Sequence, residues 1–511
     1  MTRVVLGAGP VSPGDVVAVA RERVSVTLTD EACAAMAASA SIVERLARSE
    51  RPVYGVSTGF GALATTIIPA ERREEMQRSL VRSHAAGMGD PVEREVVRAM
   101  LFLRARSLAL GRSGARPLVA ETLLALLNAD LVPVVPEHGS LGASGDLAPL
   151  AHCALALIGE GEVDDRDGRR RPAAEALAEA GIAPVVLGVK EGLALINGTD
   201  GILGMLVLAL HDLRALLRAL DIVAAMSVEA LLGTDRAFAE DLLALRPHPG
   251  QQESGANLRR LLEASPIMTT HREDDPRVQD AYSLRCAPQV HGAARDAVAY
   301  AATVAEHELA SAIDNPMVLP DGRVESCGNF HGAPLGYACD LLAIAVADVG
   351  SMSERRTDRI LDSTRSFGLP PFLAHEPGVN SGLMLSQYTQ AAMVAENRRL
   401  AVPASVDSLP TSAMQEDHVS MAWGAARKLR VAMRNLRRIV AVELVAAGRA
   451  LDLRAPIEPA AGTGAALAAL RTHLAGPGPD RHLAPELATA EALLESGRLL
   501  DAVEAVVGRL E

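Results

Sequence analysis

From about Thr199 onward the sequence runs in long apolar stretches with helical spacing, at 201–233, 288–312, 334–363, 381–399 and 415–452. Apolar residues recurring every three to four positions over such lengths must bury one face each, and they predict a bundle of long helices packed on one another. Loops rich in Gly, Asn, Asp and Pro separate the stretches at 246–257, 271–287, 314–333, 365–380 and 403–414. Hydrophobic residues make up 49% of the chain and aromatic residues only 2%. The core must therefore be built from Leu, Val and Ala, of which Leu and Ala are strong helix formers. A rare ring inside a polar loop is then poorly explained by packing.

The part before residue 200 reads differently. The first thirty residues predict short strands and turns, with Val24–Leu28 alternating like a half-buried strand. Asp30 is placed to cap an Ala-rich helix reaching about Ser49. Helices follow at about 70–86, 92–111 and 117–129. Gly-, Pro- and Ser-rich segments lie at 52–66 and 131–150, and 160–171 is a polar surface loop. The expected organisation is a mainly α chain in two regions, 1–200 and 201–511, forming one continuous module.

Charge and cysteine usage narrow the class. A formal net charge of −13 argues against nucleic acid or an anionic membrane surface as partner. Lysine occurs only at Lys190 and Lys428, which reads as a codon preference for Arg. Five scattered cysteines without CxxC spacing suggest reduced thiols and a cytoplasmic location. The N-terminus lacks an apolar signal region, and the apolar run near 201–210 meets His211 and Asp212 well short of a membrane span. The 13 histidines lack metal-ligand spacing, so no metal is expected. Gly59-Phe60-Gly61-Ala62-Leu63-Ala64 imitates a dinucleotide fingerprint but lacks the preceding strand and βαβ context.

The most informative segment is Gly139-Ser140-Leu141-Gly142-Ala143-Ser144-Gly145-Asp146-Leu147-Ala148-Pro149-Leu150. A tight turn before a helix, with Ser144 or Asp146 as N-cap, would account for part of it. It would not ask for Ala-Ser-Gly between further glycines. A backbone that cyclises would: the Gly145 nitrogen attacks the Ala143 carbonyl, which needs a close approach that glycine permits. Ser144 then loses water to leave a methylidene.

This segment resembles the signature of the aromatic amino-acid ammonia-lyase family, and the resemblance extends through further motifs in order from about Val53 to Lys428. It implies a mainly α, fumarase/aspartase-like bundle with the Ala143-Ser144-Gly145 electrophile loop in its N-terminal region. It also implies a homotetramer whose active sites draw loops from several subunits, with no metal or diffusible cofactor. The built-in group is 4-methylidene-imidazole-5-one. By the same resemblance, Tyr54 in VYGVSTGFGALA is a general base, and Tyr282 in VQDAYSLRCAPQ faces the electrophile. Asn197 in KEGLALINGTD and Phe330 in SCGNFHGAP flank the group, and Gln279 and Arg285 accompany Tyr282. Arg285 offers a planar fork to a substrate carboxylate. Ser57 and Met414 stand where many relatives have Asn.

Two residues bear on selectivity. Ser83-His84 and Glu416 resemble the histidine ammonia-lyase branch; the phenylalanine and tyrosine branches carry other pairs at the first position and generally Gln at the second. A neutral imidazole has one donor and one acceptor. Glu416 supplies an acceptor and His84 a ring N–H. The expected activity is that of a carbon–nitrogen lyase converting L-histidine to trans-urocanate and ammonia. The alternatives are a phenylalanine or tyrosine lyase or aminomutase, or a non-catalytic relative.

Overall fold

A computed structural model describes residues 3–49, 52–273, 275 and 277–511. It is mainly α, with 20 α-helices and four small sheets of two or three short strands among the described residues. The chain folds as two compact units. One comprises Met1–Leu208, Ala301–Asp340 and Pro403–Arg427; the other comprises Ala209–Tyr300, Leu341–Val402 and Lys428–Glu511. The N-terminal region thus packs with two segments from much later in the chain.

In the first unit the helix Arg94–Ala109 is buried on every side from Val96 to Ala109. A helix buried on every side sits at a centre, and Pro13–Arg21 and Pro117–Asn128 pack against it. Two of its buried arginines end on backbone oxygens and an acid: Arg98 donates to Val19 O and Asp130 Oδ1, and Arg104 to Asn197 O and Ile313 O. The expected strand is present as Ser25–Leu28, paired in parallel with Arg3–Leu6. The first Ala-rich helix runs Asp30–Ala47, but its cap is Thr29, whose hydroxyl accepts from Ala32 N–H; Asp30 is the first helical residue instead.

The long helices are Asp200–Ala230, Ala287–Ala310, Ala333–Leu361, Met384–Leu400 and Ala422–Asp452. The last was expected to begin at 415. It begins only at Ala422 because Met421 takes a φ of 54° and its N–H is held by Leu141 O at 2.7 Å. Residues 415–421 are left as loop, and Glu416 with them. Ala333–Leu361 is long and apolar enough to cross a membrane by length and composition, but 56% of that window is buried inside the fold, as in a core helix.

The second unit buries charge in its interior, and two of its buried acids are each held by several donors. Glu443 accepts from Ser227, Ser353 and Arg356, and Asp221 accepts from Ser254, Asn257, His291 and Arg295. Buried charge persists only when so compensated. The five cysteines are free thiols.

Candidate active site

The loop 139–146 is held from both sides by the first unit. Gly142 O accepts from Ser420 Oγ at 2.7 Å and from Gly332 N–H at 3.1 Å. Ser140 Oγ accepts from Gly142 N–H and lies 3.2 Å from Gly145 O, to which it donates. Gly145 has a φ of 72°, and a Cβ placed there would sit 2.1 Å from Gly198 O. No side chain fits in that space, so this glycine is required by close backbone approach. Among the described residues neither the Gly145 N–H nor the Ala143 carbonyl takes a hydrogen bond. The two groups that cyclisation would join are therefore uncommitted to other hydrogen-bond partners. The residues present fit the group that the motif implies.

Asp146 occupies the N-cap position of the helix that follows it, Leu147–Leu157, but its side chain makes no capping hydrogen bond there. Its carboxylate instead accepts from Gly201 N–H at 2.8 Å and Ile202 N–H at 3.0 Å, at the start of Asp200–Ala230. Ser140 Oγ contacts its other oxygen. Burial outweighs these donors and pushes the carboxyl up to about 7.

Ser144 Oγ donates to Asn197 Oδ1 at 3.1 Å. Asn197 follows the short helix Glu191–Ile196, and its amide is oriented by two acceptors: Nδ2 donates to Asn315 O at 2.9 Å and lies 3.4 Å from Asp314 Oδ1. Asp314 in turn is bound by Lys190 at 2.7 Å, both side chains fully buried. Sequence reasoning passes over this pair. A signal exists, since Lys190 is one of only two lysines in a chain that otherwise uses Arg.

Tyr54, His84, Ser144 and Glu416 line one cavity of about 710 Å3, with Phe60 and Leu193 among its apolar walls. Tyr54 Oη accepts from Gly61 N–H at 3.0 Å, and its ring meets Phe60 edge to face at 6.4 Å. His84 closes the helix Arg73–His84. Its Nδ1 lies 3.0 Å from Leu80 O, so the ring N–H expected to face a ligand is engaged by the helix's own carbonyl. Burial lowers its pKa from 6.5, against an upward pull from Leu80 O and Glu416. Glu416 is held by Thr411, which hydrogen-bonds its backbone in both directions and donates its hydroxyl to Oε2 at 3.1 Å.

The remaining candidates are not among the residues that line this cavity. Phe330 belongs to the same unit, but it does not line the cavity. Gln279, Tyr282 and Arg285 belong to the second unit, where Gln279 and Tyr282 are exposed. The Arg285 guanidinium stacks 4.8 Å over the Tyr282 ring, and its Nε is buried without a hydrogen-bond partner. Among the described residues, no group of three or more His, Cys, Asp or Glu side chains is placed to ligate a metal ion.

Comparisons with known proteins place this geometry. The family model described as "Aromatic amino acid lyase" matches residues 11–472. The histidine ammonia-lyase of Streptomyces coelicolor is 61% identical over all of both chains. The crystal structure of histidine ammonia-lyase from Trypanosoma cruzi superposes with a TM-score of 0.91 at 38% identity, covering 99% of this chain and 95% of that one. A tyrosine aminomutase from Streptomyces globisporus superposes with a TM-score of 0.93 at 36% identity over all of both chains. Proteins named for two different reactions therefore share this backbone, and fold alone does not separate them.

Proposed function

The chain belongs to the aromatic amino acid lyase family, and on that premise we propose that it deaminates L-histidine to trans-urocanate and ammonia, in the cytoplasm, without oxidation. The observation that carries the reading is the presence of His84 and Glu416 on the same cavity as Ser144 and Tyr54. A phenyl ring would leave both polar groups unpaired, and sites built around such hydrogen bonds reject the analogue lacking them by roughly 10⁴–10⁵-fold.

Ala143-Ser144-Gly145 would supply the 4-methylidene-imidazole-5-one, an electrophile that makes the departure of a poor leaving group easier. Asn197 holds the Ser144 position through the amide that Asp314 and Asn315 orient. Tyr54 takes the β-proton: its oxygen already accepts the Gly61 N–H, which fixes where it points. Arg285 binds the substrate carboxylate through its free edge, with Tyr282 stacked beneath it; Gln279 and Phe330 complete the surroundings. These four reach a cavity once subunits assemble, in a homotetramer with shared sites. In support, Tyr282, Tyr300, Tyr337 and Tyr388, four of the five tyrosines of a ring-poor chain, are exposed on the single chain. Aromatic side chains are enriched where protein surfaces associate.

The test is a near-UV assay of the purified protein with histidine, phenylalanine and tyrosine, combined with intact mass. Urocanate should accumulate from histidine alone, and the mass should fall two waters below that of the encoded chain. Ser144→Ala should lose nearly all activity and carry the unmodified backbone mass. Comparable kcat/KM for phenylalanine and histidine would move the assignment to the aromatic-substrate branch, and β-tyrosine or β-phenylalanine as product would make it an aminomutase.

A further inference from the structure

The imidazole end of the cavity is built from hydrogen-bond acceptors. His84 Nδ1 lies 3.0 Å from Leu80 O and 3.1 Å from Ser83 Oγ, and the Ser83 hydroxyl itself donates to Leu80 O at 3.1 Å. A carbonyl oxygen can only accept, so the ring proton belongs on Nδ1. Burial favours the neutral ring. A neutral imidazole with its proton on Nδ1 presents only a lone pair at Nε2, which has no partner among the described residues. Glu416, across the same cavity, is an acceptor too, with one oxygen already taking the Thr411 hydroxyl.

The other titratable groups around His84 are held elsewhere. Arg78 and Arg82, on its own helix, both pair with Glu160. From the two helices packed against it, His152 accepts from Gly87 N–H and Glu191 is bound by Arg116. Tyr54 Oη accepts from Gly61, and Asp417, beside Glu416, is exposed. Glu416 is the charged group that acts on the His84 ring.

A free histidine ring near neutrality carries one N–H and one lone pair. Between two acceptors, whichever way it is turned, one lone pair would meet another. We propose that this subsite binds its ligand as a ring with a proton on each nitrogen, so that binding takes up one proton from solvent and holds it between a ring nitrogen and the Glu416 carboxylate. The inference rests on the reading of the cavity as a histidine site and adds the form of the substrate that it selects. No bond to carbon changes in this step; one proton leaves solvent and a ring lone pair receives it. A ring so protonated withdraws electrons from the β-carbon, which makes the proton that Tyr54 removes more acidic. His84 and Glu416 would then contribute to rate as well as to selectivity.

The probe is imidazole-4-propionate, which lacks an amino group, so that its ring is the only part titrating from about pH 6 to 10. Its binding to the full chain is measured by calorimetry in buffers of different ionisation enthalpy, with histidine turnover followed in parallel. At about pH 8.5 uptake should be close to one proton per site, and Kd should rise about tenfold per pH unit above the ring's pKa of about 6.5. Uptake should vanish below about pH 5.5, where the free ring is already protonated. Glu416→Gln replaces the carboxylate with an amide whose N–H can meet the ring's lone pair. That variant should bind the neutral ring with no uptake and a flat Kd. A flat Kd without uptake in the unmodified protein, while histidine is turned over, overturns this inference and leaves the functional reading standing. Absence of both analogue binding and histidine turnover overturns the two together.

Discussion

Replacing Lys190 by Met tests whether the buried pair behind the site does what its geometry implies. Met keeps the length of the side chain and faces the same backbone constraint, since residue 190 has a φ of 67°. What disappears is the ammonium that binds Asp314 Oδ2 at 2.7 Å and Ser113 O at 2.9 Å, where both side chains of the ion pair are fully buried. Breaking such a pair by removing one partner costs about 3–5 kcal/mol, because the remaining charge is stranded. Asp314 Oδ1 still accepts from Asn315 N–H at 2.7 Å and faces Asn197 Nδ2 at 3.4 Å, which places the expectation toward about 3 kcal/mol. Urea m-values are about 1–3 kcal/mol/M for small proteins and grow with chain length, so in a chain this long the unfolding midpoint should fall by up to roughly 1 M. Lys190→Met combined with Asp314→Asn removes the stranded charge and should recover part of that loss. The chemical consequence is separate. Without the ammonium, Asp314 is no longer fixed behind Asn197, and the amide that receives Ser144 Oγ loses its orientation. Intact mass should then show chains lacking the two-water deficit. A single variant with an unchanged midpoint and a complete mass deficit would refute both the energetic and the positioning argument.

Three further expectations follow from the site. Tyr54→Phe keeps the ring that packs against Phe60 and removes the oxygen held by Gly61, so kcat should fall by about 10²–10⁴-fold with little change in thermal stability; a mild effect here with a severe one for Tyr282→Phe would move the base to Tyr282. Arg285→Lys keeps the charge but loses the fork, at a cost of about 1.5–3 kcal/mol or roughly 10- to 150-fold in kcat/KM for histidine, and a near-normal value for Arg285→Ala would remove it from carboxylate binding. For Asp146, burial raises the folded pKa from 3.8 to about 7, so the folded state binds more protons than the unfolded one between these values and this group's contribution to stability declines as pH rises through that window. Asp146→Asn can still accept from Gly201 and Ile202 and donate to Ser140; denaturation midpoints from pH 4 to 7 should show a shallower decline, and an unchanged slope would discount the effect.

The long helices were legible because helical burial repeats every three to four residues, a property of neighbours in sequence. The segments 201–233, 288–312 and 334–363 match Asp200–Ala230, Ala287–Ala310 and Ala333–Leu361 closely. The Ala143-Ser144-Gly145 chemistry was legible for a related reason: its atoms are consecutive, and the glycines needed for close approach surround them. What escaped was set by partners far along the chain. The helix expected from 415 starts at Ala422 because Met421 N–H is tied to Leu141 O, a contact no local pattern announces. Asp146 stands where a cap for its own helix was expected, yet its carboxylate serves the helix beginning at Asp200.

The candidate site residues divide along the same line. Motif by motif, the sequence pointed to Tyr54, His84, Asn197 and Glu416, and it read His84 as a donor and Glu416 as an acceptor. It did not contain the tautomer of His84. That depends on a ring rotamer which brings Nδ1 to Leu80 O, and the proton's position turns an assumed donor into an acceptor. Nor did it show that Lys190, 124 positions from Asp314, orients the amide beside Ser144. Side-chain periodicity and covalent reactivity are written in adjacent residues, whereas the direction of a hydrogen bond and the partner of a buried charge exist only once distant segments close on each other.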